Sequence, residues 1–421
     1  MELRPALTDK IKRLTDKGVN FCNPLSIDIG DEVAIDRISG NGVTIYPGCR
    51  IYGEKTVISA GAQIGREGPA TIEDCQIGSR AELKGGYFSK SVFLEQANLG
   101  LGAHIREACI LEEEASGAHC VGLKQTILFP FVTLGSLINF CDCLMTGGTS
   151  RKNHSEVGSS YIHFNFTPDA DKTTPSLLGD VPRGVMLNQP PIFLGGQGGM
   201  VGPLRVGFGN VVAAGSILRK DVLTEGQLIT TKPTPGRAIE FVPQAYPGLA
   251  RIVRNNFFYL ANLIALEQWY IHVRQSFFRE QEFGDLMYQG VLEKLQMAKT
   301  ERCKRLEVMA DKAATSPNAH ADEPARHELA ANAIRIPGLL NEALALQAGS
   351  RQKDMFLAEL QKNRAQGAGY IETIRHLPNE SVQNGTAWLT QVADATLLLL
   401  ASQVPALALA PDALASTAQK T

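Results

Sequence analysis

A parallel β-helix built from hexapeptide repeats, followed by an α-helical domain, is the fold class this sequence predicts, and three observations predict it. Aliphatic residues recur every six positions at Val206, Val212 and Leu218, with small residues between them, and the run ends in Lys220-Asp221-Val222. The same six-residue grid appears earlier, at Ile27, Val33, Ile45, Ile51 and Val57. After Thr231 the apolar pattern changes to helical spacing. A period of six fits neither an amphipathic helix nor an ordinary hairpin. In a three-sided prism of parallel strands, each face takes about six residues, one aliphatic side chain per face points inward, and small residues allow the sharp corner.

Residues 1–25 hold a short amphipathic segment, Leu7 to Leu14, expected as a helix that caps the prism. Without a cap, the first coil of a solenoid exposes its aliphatic cross-section. Residues 26–231 are expected to form the β-helix. Beyond Val57 the pattern slips by one or two residues through Ile64, Ile77, Leu83, Leu99, Ile105, Leu111, Val121, Ile127, Leu134, Ile138 and Leu144, as corner loops would make it do. Two polar, turn-rich excursions interrupt it, Gly147 to Glu156 and Phe166 to Ser176. On a rigid prism such loops are where chemistry is expected to gather. Gly195-Gly196-Gln197-Gly198-Gly199 reads as a turn insertion, since it has neither the Lys-Ser/Thr ending of a phosphate loop nor the dinucleotide fingerprint. Residues 232–244, opening with Lys232-Pro233-Thr234-Pro235-Gly236, are an extended linker. Residues 245–421 are the helical domain: Val253, Phe257, Leu260, Ile264 and Ile271 follow one helical face. Further helices are expected at about 283–312, 325–335, 339–365 and 386–402, with a loop at 313–324 and breaks at Pro337-Gly338 and Gly367-Ala368-Gly369.

Composition narrows the function classes. Forty-one basic and 43 acidic residues leave a net charge of -2, so neither a nucleic-acid surface nor an acidic solvating tail is expected. The eight cysteines lack paired spacings and read as reduced thiols. Met1-Glu2-Leu3-Arg4 does not open an apolar leader, and the apolar run Ala395 to Ala410 is broken by Pro405 and too short to span a bilayer. A cytoplasmic protein without a membrane partner is the expectation.

From about Leu134 to Val222 the chain resembles the left-handed β-helix acetyltransferase domain of the bifunctional N-acetylglucosamine-1-phosphate uridyltransferase/glucosamine-1-phosphate acetyltransferase family. Val157-Gly158-Ser159-Ser160-Tyr161-Ile162-His163-Phe164-Asn165-Phe166 aligns without a gap to that family's Ile-Gly-Ala-Gly-Thr-Ile-Thr-Cys-Asn-Tyr. A polar loop with Lys172 follows, then Leu177-Leu178-Gly179-Asp180 where the family has Ile-Ile-Gly-Asp, and the closing coil shares Lys-Asp-Val. The resemblance implies a left-handed prism, a homotrimer with the cofactor groove between neighbouring prisms, and acyl transfer from acetyl-CoA or another acyl-CoA to an amino sugar, sugar phosphate or nucleotide sugar. The sequence also departs from the family. Its nucleotidyltransferase domain has no counterpart in the residues before the first coil, so uridylyl transfer by that chemistry is not expected. Its general-base histidine follows an asparagine, whereas here Asn139 is followed by Phe140.

Acyl transfer needs a base, donors for the developing oxyanion and a groove for the cofactor. The candidate bases are His163, in the segment most like the family, and His154, in the preceding loop. The alternatives are a satisfied side chain stacked on Phe164 or Tyr161 for His163, and an exposed loop residue for His154. The cofactor candidates are Asn165, Phe166, Lys172 and Ser216; those for the substrate are Asn139, Arg151 and Lys152, whose cations suit an anion. No metal is expected. Cys141 and Cys143 are two apart, but no second pair stands at zinc spacing. Glu112-Glu113-Glu114 reads as a solvated edge, His104 and His119 as structural, and the aromatic cluster Phe257, Phe258, Tyr259, Trp269 and Tyr270 as packing. A non-catalytic nucleotide-sugar-binding or scaffold protein, derived from such a transferase, is the second function class the sequence supports.

Overall fold

A computed structural model describes residues 5–232, 235–316, 323–364 and 368–407. Pro233 and Thr234 of the expected linker, residues 317–322 of the expected loop, Gly367 of the expected helix break, residues 1–4 and everything after 407 lie outside the described residues.

The predicted three-sided parallel solenoid is present. Its strands form three parallel sheets of 11, 10 and 8 strands, visited in turn as the chain winds. One register line of the first sheet runs Ile45, Ile64, Leu83, Leu99, Gly117, Leu134, Val157, Leu194, Val212. These residues are buried and make the aliphatic column that the six-residue period requires. Gly117 interrupts the column, and its neighbours fill the gap: a Cβ there would sit 2.8 Å from Leu99 Cδ2 and 3.1 Å from Val121 Cγ2. The corners turn at residues with left-handed φ, and most of them are not glycine: Asp74, Lys90, Ala108, Gln125 and Asp142 mark the same corner in successive coils.

The amphipathic N-terminal segment forms α1 (Pro5–Lys17) on the first coil. Lys10 Nζ donates to the carbonyls of Gly30, Asp31 and Val33, and Lys17 Nζ to those of Ile35 and Ile38. The cap thus satisfies backbone acceptors as well as covering apolar surface.

The two excursions differ in kind. The first is an antiparallel hairpin of Gly148–Ser150 and Asn153–His154 at the corner between the third and first sheets. The second links the Ile162–Phe164 strand to Ser176–Leu178, at the corner between the second and third sheets. A short helix, α2 (Val181–Gly184), lies in a further insertion at the corner the hairpin occupies. Asp180 caps it, its carboxylate accepting from the Arg183 N–H at 3.0 Å.

Helices follow the prism: α3 (Leu249–Trp269), a π turn (Tyr270–Arg274), α4 (Gln275–Phe278), α5 (Gly284–Ala314), α6 (Glu323–Ala333), α7 (Ile336–Ala345), α8 (Ser350–Asn363), α9 (Tyr370–Arg375) and α10 (Asn379–Ala401). The expected single helix over 339–365 is two, because the backbone turns extended at Leu346, ψ 136°, and α8 starts anew after Gly349, whose φ of 67° is left-handed.

These helices pack on the third sheet, where α5 meets the Gln76–Ile77 and Val92–Phe93 strands and α3 the Ser176–Leu178 strand. In the first sheet several strands pair an outward polar residue with an inward aliphatic one, as in Glu82-Leu83, Asn98-Leu99 and Thr133-Leu134. In the third sheet five successive strands are apolar at both positions: Val92-Phe93, Ile110-Leu111, Ile127-Leu128, Leu144-Met145 and Leu177-Leu178. A sheet buried on both faces reads as continuous apolar pairs.

Buried ion pairs fasten the helices to that sheet. Arg274 of the π turn lies 2.5 Å from Glu113 and stacks 3.7 Å from the Tyr370 ring centroid. Glu112 accepts a hydrogen bond from the Tyr270 hydroxyl. The expectation of a solvated edge is therefore corrected for Glu112, only 2% exposed, and for Glu113. The acidic run is a clamp because Arg274 and Tyr270 arrive from far along the chain. Arg302 of α5 pairs with buried Asp142 at 2.8 Å.

Candidate functional site

The candidate residues fall in separate places. His163 points into the prism and is 3% exposed. Its Nε2 lies 2.9 Å from Ser176 Oγ, and its ring meets Phe140 edge to face at 6.3 Å. Burial, with Arg302 nearby, pushes its pKa down to about 3, so it is a neutral core residue at ordinary pH. It occupies the inward position that an apolar residue holds in other coils; the role is structural, but the ring it meets is Phe140 and not the expected Phe164 or Tyr161. Phe140, which stands where the family has its histidine, is also buried.

His154 is placed differently. The hairpin holds it half-buried at the edge of the first sheet. Its Nδ1 lies 2.9 Å from the Arg151 carbonyl, so Nδ1–H donates and Nε2 keeps the lone pair. Nε2 is 4.0 Å from Glu156 Oε2, an outward residue of the first sheet aligned with Thr133. Partial burial and then Arg151 lower the imidazole pKa, while Glu156 opposes them. The result is a neutral, oriented imidazole beside a carboxylate. Arg151 itself reaches across the sheet, donating to the Glu114 carbonyl at 2.6 Å and to the Thr133 hydroxyl. It borders a groove of about 700 Å³ on the first sheet, lined also by Lys84, Asn98, Ser116, His119 and Thr133. Lys152 is exposed at the hairpin tip.

Asn139 lies on the outward side of the second sheet, on the rim of a hollow of about 340 Å³ shared with His104, Arg106 and Cys141. The hollow exists because Gly122 stands between His104 and Asn139 in the register. The nearest atom a Cβ there would meet is the Ile138 carbonyl oxygen at 3.5 Å. His104, expected to be structural, is exposed on this surface and packs 5.3 Å from the Tyr87 ring. A gap in the outward register is a signal the sequence carries, but it is legible only once the coils are aligned.

Asn165, Phe166 and Lys172 belong to the second excursion, which is a saddle for the helices. Asp171 accepts from Tyr246 at 3.3 Å, Asp169 from the Gln244 N–H at 3.0 Å, and the Lys172 and Thr173 carbonyls from Arg302 and Asn256. Asn165 bonds Thr174 and Asp142. Phe166, 71% exposed, and the Lys172 side chain face outward. Ser216 is buried at a corner, its Oγ taking the Thr231 N–H at 3.3 Å. Cys141 and Cys143 are divided by the corner at Asp142, φ 57°, so they stand on different sheets and not on one side of a strand.

Comparison with known proteins follows the prism. No family model matches. The chain is 27% identical over 214 residues to the bifunctional protein GlmU of Thermotoga maritima, covering 51% of this chain and 42% of that protein. It is 28% identical over 222 residues to the bifunctional protein GlmU of Pelobacter propionicus, covering 52% and 43%. The chain thus spans less than half the length of these curated relatives. Among solved structures, a UDP-N-acetylglucosamine acyltransferase from Campylobacter jejuni aligns over 49% of this chain and 67% of that one, at 14% identity and a TM-score of 0.15, too low to bear on the argument. The first half of this chain is thus similar in sequence to the bifunctional GlmU proteins, and its parallel solenoid fits a hexapeptide-repeat acyltransferase domain.

Proposed function

We propose that this protein is an acyltransferase that moves an acyl group, acetyl foremost, from coenzyme A to an amino sugar, sugar phosphate or nucleotide sugar. The observation that carries the reading is the His154 imidazole, oriented by the carbonyl of Arg151, whose own side chain borders the first-sheet groove, with the Nε2 lone pair turned toward Glu156. In the proposed step Nε2 accepts the proton of the acceptor amine or hydroxyl as that atom attacks the thioester carbonyl. The C–S bond then breaks, and the thiolate of coenzyme A recovers the proton from the imidazolium. Arg151 and Lys152 supply positive charge for a phosphate-bearing acceptor, while Lys84 is shared with Glu67 and Glu82. Asn165, Phe166 and Lys172 remain candidate contacts for the coenzyme on the far side of the second sheet. His163 and Ser216 are not carried into the proposal, because each is buried, His163 with Nε2 against the Ser176 hydroxyl and Ser216 with Oγ on the Thr231 N–H.

A homotrimer fits this reading. The helices cover the third sheet, which leaves the edge between the first and second sheets free. Leu137 is exposed at that corner, and beside it stand exposed Phe193, Val211 and Leu228 on the first sheet and Ile162 and Ile217 on the second. Packing three prisms on this edge sets the first sheet of one subunit against the second sheet of the next. The groove beside His154 then meets the hollow at Asn139, His104 and Arg106.

One observation favours the second reading, a non-catalytic nucleotide-sugar-binding or scaffold protein: Phe140, in the core, replaces the family's base. Thermal shift and thiol release separate the two readings. Stabilisation by acetyl-CoA together with release of free thiol in the presence of an amino-sugar phosphate or nucleotide sugar supports transfer. Stabilisation by nucleotide sugar alone, with no thiol released by any acyl-CoA, supports binding without chemistry and overturns the proposal.

A further inference from the structure

A cavity of about 580 Å³ lies between the last coils of the third sheet and α10, apart from the groove beside His154. Its size is that of a small-molecule pocket. The prism contributes Leu177, Val206 and Leu223, and α3 contributes Phe258. The gap stays open because α10 turns short side chains toward it. Thr386, Thr390 and Asp394 stand four residues apart on that face, with Ala387 and Ala393 beside them.

The charges around the cavity are compensated, with one exception. Arg183 is held by Asp180 at 2.6 Å and Glu225 at 2.8 Å. Arg205 pairs with Asp221 at 3.1 Å and stacks 3.9 Å from the Phe258 ring centroid. Asp394 is half-buried, and among the described residues no donor reaches its carboxylate. Burial alone raises its pKa, with no opposing partner. A half-buried carboxylate without a partner has lost part of its hydration, and a cation bound beside it offsets that loss.

We propose that this cavity binds a small primary amine carrying an apolar chain or ring, with Asp394 as its counter-ion. An ammonium has three donors and no acceptor. Asp394 offers the charge, and the Thr390 and Thr386 hydroxyl oxygens continue a row of acceptors along the helix. The apolar part lies against Leu177, Val206, Leu223 and Val382. An anionic ligand of the same shape is disfavoured, because both arginines already have their carboxylates.

The site is independent of the acyl-transfer proposal and is tested on the full chain by calorimetry and thermal shift, with n-hexylamine as probe and n-hexanoate as its anionic counterpart. Hexylamine is expected to bind and raise Tm, and hexanoate to do neither. Asp394→Asn keeps the shape and removes the charge; it is expected to fold and to bind hexylamine at least tenfold more weakly. Thr390→Trp fills the cavity while leaving Asp394 in place, and is expected to abolish binding. Equal binding of amine and carboxylate overturns the proposal, as does unchanged affinity in Asp394→Asn or hexylamine affinity weaker than about 10 mM.

Discussion

The carbonyl oxygen of Arg151 lies 2.9 Å from Nδ1 of His154 and fixes which ring nitrogen is free to take a proton. Burial and the Arg151 charge hold that imidazole below its ordinary pKa of 6.5, and Glu156 pulls the other way. A general base works only when deprotonated, so transfer is expected to be flat above pH 7 and to fall as the solution is acidified through the lowered pKa. Glu156→Gln removes the group that favours the charged ring. Its acid limb is therefore expected at lower pH than in the native protein, read from kcat/KM against pH. An acid limb that stays in place would separate His154 from the rate.

The Glu113–Arg274 pair is buried where helices meet prism. Removing one partner strands a charge in a dry contact. Arg274→Ala is expected to cost about 3–5 kcal/mol in urea unfolding. Replacing both with apolar residues of similar volume is expected to cost far less.

Glu112 titrates in the same contact. Burial raises its folded pKa from 4.5 to about 7, against the opposing pull of Arg274 and the Tyr270 hydroxyl. A raised carboxyl pKa means the folded state holds a proton that the unfolded chain releases. The associated stability is full below about pH 4.5 and is lost as pH rises through about 7. Glu112→Gln keeps an acceptor for Tyr270 and has nothing to ionise. It is expected to be more stable than the native protein at pH 8, by up to ~3 kcal/mol, with the gap closing at pH 5.

Exposed Val211 and Leu228 are aligned in the first sheet on the edge proposed to bring three prisms together. Sedimentation is expected to give a trimer for the native chain and a monomer for the double variant Val211→Asp, Leu228→Asp, with the same circular dichroism. A native monomer would remove the inter-subunit cleft from the proposal.

Leu99 leans into the space left by Gly117. Leu99→Ala is expected to open a cavity and cost about 2–5 kcal/mol in the same unfolding experiment.

The prism was legible because its inward positions admit little but aliphatic residues, so Ile45 through Val212 announce themselves by spacing alone. The face that the helices cover was also written in the chain, as the doublets Val92-Phe93 through Leu177-Leu178, but a six-residue count keeps one member of each pair and discards the other. Glu113 and Arg274 are 161 residues apart, and nothing local marks either as half of a pair. The site was legible only in part. His154 and Arg151 do lie together, on one hairpin. His163 misleads because a histidine beside a polar loop looks the same whether its ring faces inward or outward, and the pleat turns it inward. The exposure of His104 beside a hollow was not legible, because it depends on Gly122 lying next to it in the stack, a neighbour one coil away.

Thiol release from acetyl-CoA, with amino-sugar phosphates and nucleotide sugars as acceptors, compared among the native protein, His154→Ala and His163→Ala, tests the central claim most directly. The account predicts turnover in the native chain, a fall of at least about tenfold in kcat for His154→Ala with the fold intact, and a loss of stability in His163→Ala with kcat retained in the protein that stays folded. Native turnover that persists unchanged in His154→Ala would contradict it.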